Sequence, residues 1–105
     1  MEQPNIEYII KLSGNEEIVK QKLINVLKYE LPLEIEAYYV SIRLNKMKQT
    51  AFCVHKLKHK IGILGLEQSY YIGEEYENQL IKNEKKLQIE FEKILSLIQN
   101  FVNYL

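Results

Sequence analysis

The chain contains no aspartate, since all 14 of its acidic residues are glutamates. That excludes several function classes at once. A receiver domain needs an aspartate to phosphorylate, and kinases and P-loop enzymes hold magnesium with one. With only 4 glycines and no glycine-rich phosphate loop, nothing in the chain is built to cradle a nucleotide. Cys53 is the single cysteine, so there is no intramolecular disulfide and no cysteine cluster for zinc or iron–sulfur binding. No apolar run approaches the roughly 20 residues of a membrane span. Met1 to Asn5 lack the basic and apolar regions of a signal peptide, and the expected location is cytoplasmic.

What is present belongs to an ordered globular protein: 47% hydrophobic and 27% charged residues over 105 positions, read as one domain spanning 1–105. The formal charge is zero but unevenly spread. Positions 37–66 hold no acidic residue, whereas Arg43, Lys46, Lys48, Lys56, Lys58 and Lys60 all fall there. A basic middle suits an acidic protein partner or a phosphoryl group. It is too modest to demand nucleic acid, which goes with a basic excess over the whole domain. Neither nucleic acid nor membrane is expected as a partner.

The hydrophobic pattern has a helical period throughout, without repeats or low-complexity linkers. A short helix is predicted over 5–12. Ser13-Gly14-Asn15-Glu16 then reads as a capping box for a second helix, which carries Val19, Leu23, Val26 and Leu27 and ends before Pro32. Pro32 fits the first turn of a third helix with Ile35, Tyr38, Tyr39 and Ile42 on its buried face. Asn45 is the expected cap of a fourth helix running to about residue 64, which Gly65 ends. A fifth helix over 67–82 presents Ser69, Ile72, Tyr76 and Leu80, and Asn83 punctuates before the last. That last stripe, Leu87, Phe91, Ile94, Ile98, Phe101 and Leu105, alternates spacings of four and three, as a bundle seam does. The fold class is therefore all-α: an antiparallel four-helix bundle with one or two short additional helices. The tyrosines, eight in number, are assigned mainly to core and rim, where each ring buries area and each hydroxyl reaches water.

The segment 54–65 carries the chemistry. At about 100° per residue, Val54, Leu57, Ile61 and Leu64 gather on a core face, while His55 projects nearly opposite with Ala51, Lys58, His59 and Gly62 around it. A neutral imidazole exposes a ring nitrogen as nucleophile near pH 7. Gly62 inside a helix costs about 1 kcal/mol relative to alanine, which close approach of another backbone would explain. Ala51 and Gly62 remove bulk beside the ring, Phe52 adds an apolar contact, and Lys56 a charge. Lys58, one turn on, is placed to neutralise a phosphoryl group.

These residues resemble the histidine-containing phosphotransfer (HPt) domain family. Its motif is a histidine followed by an apolar residue at +2, Lys at +3, Gly at +4, and an apolar residue and Gly at +9 and +10. The corresponding positions here hold His55, Leu57, Lys58, His59, Leu64 and Gly65, which departs from the pattern only at His59. Tyr76-Glu77 looks like the family's apolar–Glu pair late in the next helix, and the helix break and Pro32 also fall where its pattern puts them. The resemblance implies a phosphoryl carrier rather than an enzyme, with His55 as acceptor, Lys58 neutralising charge and His59 a modulator. It implies a receiver-docking face of Ala51, Phe52, Lys56 and Gly62. The implied partners are receiver domains of hybrid histidine kinases and response regulators, which supply the Mg²⁺. The chain needs no cofactor of its own and is expected to act as a monomer.

Two other readings compete. His55 and His59 at i, i+4 match a zinc half-site, for which Glu74 or Glu75 would have to provide a third ligand. Alternatively, the basic, small-residue face serves a helical protein-binding module that is never phosphorylated. Cys53 lies off the His55 face and reads as a boundary residue, and Lys85-Lys86 as a solvated surface.

Overall fold

A computed structural model describes residues 2–105 and contains five α-helices, with no strand among them. They are α1 (Ile6–Leu12), α2 (Glu17–Arg43), α3 (Met47–Ile63), α4 (Glu67–Ile81) and α5 (Gln88–Asn103). At 1.5 Å per residue α2 is about 40 Å long, and it sets the 42 Å long dimension of the molecule. α3 packs between α2 and α4, α5 closes against α2 and α4, and α1 lies across α2 and α3. No helix of the described residues is long and apolar enough to cross a membrane.

The second and third predicted helices are one. Pro32 sits inside α2 rather than opening a new helix. Ile24, Leu27, Leu31 and Tyr38 are buried along one stripe, with Ile35 and Ile42 packed beside them, so the core-facing seam crosses the proline without changing face. An interior proline costs about 3 kcal/mol. Each large apolar side chain buried contributes roughly 1.5–3 kcal/mol, so a continuous seam outweighs one lost backbone bond. Pro32 and Lys28 are both exposed, which places the carbonyl that loses its donor on the solvent side.

The helix ends also correct the sequence reading. Ser13 does not cap α2; it closes α1, its hydroxyl donating to the Ile10 carbonyl at 2.6 Å, and Glu16 at the start of α2 makes no side-chain capping bond. Gly14 and Asn15 both have φ near 63°, and their amides bond back to Lys11 and Ile10, which pulls Ser13 into the last turn of α1. Asn45 likewise ends α2 rather than capping α3. With φ 54° it donates to Ile42 while Lys46 donates to Ser41, both at 3.0 Å, the paired closure of a Schellman motif. Gly65 and Asn83 end α3 and α4 in the same way. At Gly65 no side chain would fit, since a Cβ would stand 2.7 Å from Cγ of Tyr8.

α4 is capped from a distance. The Glu2 carboxylate accepts from the amides of Gln68 at 3.0 Å and Ser69 at 2.8 Å, serving the first-turn N–H groups that Leu66 cannot reach. On the last helix, Phe91, Ile94 and Ile98 of the expected seam are buried, and Leu95 and Val102 join them. Leu87, Phe101 and Leu105 pack on the core from its edge. A buried polar chain ties three helices together: Tyr38 donates to Glu92 at 2.9 Å, so the Tyr76 hydroxyl, 2.8 Å away, donates to Tyr38. Burial and the Glu92 carboxylate push the Tyr38 phenol far above its ordinary value, so Tyr38 stays neutral.

Candidate functional site

His55 lies midway along α3 with half of its side chain exposed. Its Nδ1 is 3.3 Å from Oε1 and 3.2 Å from Oε2 of Glu77, which α4 delivers from its last turns. A carboxylate only accepts hydrogen bonds, so Nδ1 is the donor in this contact, and in the neutral ring the lone pair falls to Nε2, on the other side of a half-exposed ring.

Glu77 holds a second cation. Lys58 Nζ sits 3.0 Å from its Oε1, and the lysine side chain is only 8% exposed. Burying an ammonium is tolerable here because the carboxylate pairs with it and because the Tyr70 ring lies 5.4 Å from Nζ. The stem is accommodated by Gly73: a Cβ there would stand 3.0 Å from Lys58 Cγ and 3.3 Å from Phe91 Cε1. The site is thus a three-membered cluster, His55–Glu77–Lys58, spanning α3 and α4. Lys58 meets the neighbourhood of His55 through Glu77 rather than as a free surface charge.

The remaining predicted residues divide. His59 is exposed and stands edge-on to His55, ring centroids 5.1 Å apart at 84°. Phe52 is 65% exposed, with Lys56 Nζ 5.6 Å from its ring centroid. Ala51, however, is buried and offers no contact surface. Gly62 is half-buried, and its would-be Cβ meets only Cδ2 of Tyr70 at an ordinary 3.8 Å, so no backbone approaches it closely. At Gly62 the flank that a helical wheel turns to solvent is partly covered by the Tyr70 side chain of α4.

Gly73 and the bonding of Glu77 escaped the sequence reading. A signal for the first was available, because Ser69 and Gly73 put two small residues on the stripe that continues through Tyr76 and Leu80. On the opposite flank Lys60 is buried against α2, with Nζ 3.0 Å from Glu30 and 3.2 Å from Glu34. α3 is therefore clasped to α4 by one lysine and to α2 by another.

Among the described residues no group of three or more His, Cys, Asp or Glu side chains is placed to hold a metal ion. The carboxylate beside His55 is Glu77, not Glu74 or Glu75. Cys53 is half-buried, and burial pushes its thiol above the ordinary value, which keeps it protonated and unreactive at neutral pH. No family model, no curated protein and no solved structure matches the chain.

Proposed function

We propose that this chain is a histidine phosphotransfer protein of a two-component phosphorelay, accepting a phosphoryl group on Nε2 of His55 from a receiver-domain aspartyl phosphate and passing it to another receiver. The observation that carries the proposal is the pairing of a half-exposed imidazole with a carboxylate on its Nδ1. In the transfer, the Nε2 lone pair attacks phosphorus, the N–P bond forms, and the P–O bond to the partner's aspartate breaks, releasing that carboxylate. The ring then carries positive charge with its proton on Nδ1, and Glu77 stabilises that charge through the bond it already makes. No general base is needed, and magnesium is the partner's. Lys58 offsets the charge of Glu77, so that the incoming dianion does not meet an unscreened carboxylate.

In this reading α2 to α5 form an antiparallel four-helix bundle with α1 as the additional short helix, because short connections reverse the chain between successive neighbours. Phe52, Lys56 and His59 remain as the exposed surface around the acceptor. The working compartment is the cytoplasm.

The test is transfer of label from a panel of phosphorylated receivers. The wild-type chain acquires acid-labile, alkali-stable phosphate, His55→Gln acquires none, and His59→Ala retains it. Labelling that survives in His55→Gln refutes the site. A wild-type chain that no receiver labels leaves the unphosphorylated binding module.

A further inference from the structure

The site around His55 leaves Gly62 without a reason: glycine weakens the helix there, and no backbone comes close to it. What it does border is a cavity. Gly62 and Gly65 line a space of about 390 Å³ where α1 and the end of α3 meet the start of α4, together with Tyr8, Tyr70, Tyr71 and Glu67. That volume is in the range of small-ligand sites. Tyr70 and Tyr71 stand edge to face, their centroids 5.8 Å apart and their planes at 84°, so two aromatic walls meet almost at a right angle. Tyr8 reaches in from α1 and rests against Gly65, whose Cβ, if it had one, would stand 2.7 Å from Tyr8 Cγ. The rings are open to solvent, Tyr71 at 58% and Tyr8 at 39%. Glu67 lies one turn before both α4 rings, exposed, and its carboxylate makes no ion pair among the described residues. No basic side chain lines the cavity; Lys58 touches Tyr70 but is not part of the lining.

We propose that this cavity binds a methylated ammonium group, carried either by a free quaternary amine of the choline type or by a methylated lysine side chain. An aromatic face is the negative side of its ring and attracts a cation within about 6 Å of the centroid. Three phenol rings and a carboxylate therefore surround the space with negative potential, and the protein places no cation of its own in it. A bare ammonium or a guanidinium brings several N–H donors, for which the lining offers a single carboxylate. Methyl groups need only apolar contact and leave no donor unsatisfied. Gly62 then has a task, since a side chain there would grow into the space the methyl groups occupy. The proposal does not rest on the phosphotransfer reading. Gly62 is about 10 Å along α3 from His55, and neither histidine lines the cavity.

Chemical-shift titration of the isotope-labelled chain tests it, at constant ionic strength, with choline and with the amide of N-acetyl-trimethyllysine as probes. The neutral tert-butyl analogue of choline is the control. Either cation shifts the Gly62, Gly65 and Tyr71 amides saturably, and the neutral analogue binds at least about tenfold more weakly, the effect of losing the cation–π attraction. The tighter of the two cations identifies the source. Tyr71→Ala loses binding and Tyr71→Phe keeps it, because the ring and not the hydroxyl makes the contact. Gly62→Ala binds more weakly while its melting temperature rises: its methyl meets Tyr70 at an ordinary 3.8 Å, so the helix gains propensity without strain. Loss of binding in that variant is then not loss of fold. Absence of saturable shifts at these amides with both cations overturns the proposal, as does equal affinity for the neutral analogue or binding that Tyr71→Ala leaves intact.

Discussion

Glu77 holds a buried ammonium and a half-exposed imidazole with the same two oxygens, and substitution separates its charge from its hydrogen bonding. Glu77→Gln keeps a carbonyl that can accept from His55 Nδ1, so the tautomer survives while the charge that steadies the phosphorylated ring is lost. Phosphoryl acceptance should slow by roughly 10- to 100-fold, the usual effect of removing a partner that orients a reacting imidazole, as measured by single-turnover transfer. Either substitution leaves the buried Lys58 ammonium without its counter-charge and should cost about 3 kcal/mol of stability in urea titration, and Glu77→Ala removes the hydrogen-bond acceptor of both partners as well. Gly73 is the second informative residue. Alanine would gain up to about 1 kcal/mol of helix propensity, but its methyl would press on a lysine stem that Glu77 prevents from swinging aside. Overpacking of this kind costs about 1–3 kcal/mol, so Gly73→Ala should lower the melting temperature and, by displacing Lys58, slow transfer.

At the scale of elements, the cap that Glu2 places on α4 makes the packing of the first residues sensitive to pH. Partial desolvation opposes ionisation of this carboxyl, but the amides of Gln68 and Ser69 outweigh it and hold the group below the ordinary 4.5. A group with a lowered folded value binds protons more readily in the unfolded chain. The cap is therefore at full strength at neutral pH, weakens as the pH drops below about 4.5, and is lost once the pH passes the lowered value. Hydrogen exchange at the Gln68 and Ser69 amides should follow that course, and Glu2→Gln should abolish the pH dependence while leaving the amides of α5 unaffected. The helices themselves were legible from sequence where burial decides the period, α5 most clearly. Their ends were less so. Ser13, Pro32 and Asn45 each carry a local signal for starting a helix, and each was overridden: Ser13 and Asn45 by the closure of the preceding helix, Pro32 by a core seam that runs through it. Local propensity is worth a kcal/mol or so per position, and packing on neighbours settles such contests.

For the molecule as a whole, periodicity located the core and the outward face of α3, which put His55 and Phe52 outside and Val54, Leu57 and Ile61 inside. It did not locate the width of the outward face, which depends on how far α2 and α4 reach around α3. Ala51, Lys58 and Gly62 all lie in that margin and were assigned too freely to solvent. The same enclosure holds Lys58 and Lys60, on opposite flanks of one helix, beneath their carboxylate partners. Amine-reactive reagents should therefore modify the other described lysines first, each of them less enclosed than these two. Label arriving at Lys58 dates the parting of α3 from α4, and label at Lys60 its parting from α2. Mass spectrometry of a timed modification series would show which neighbour lets go earlier.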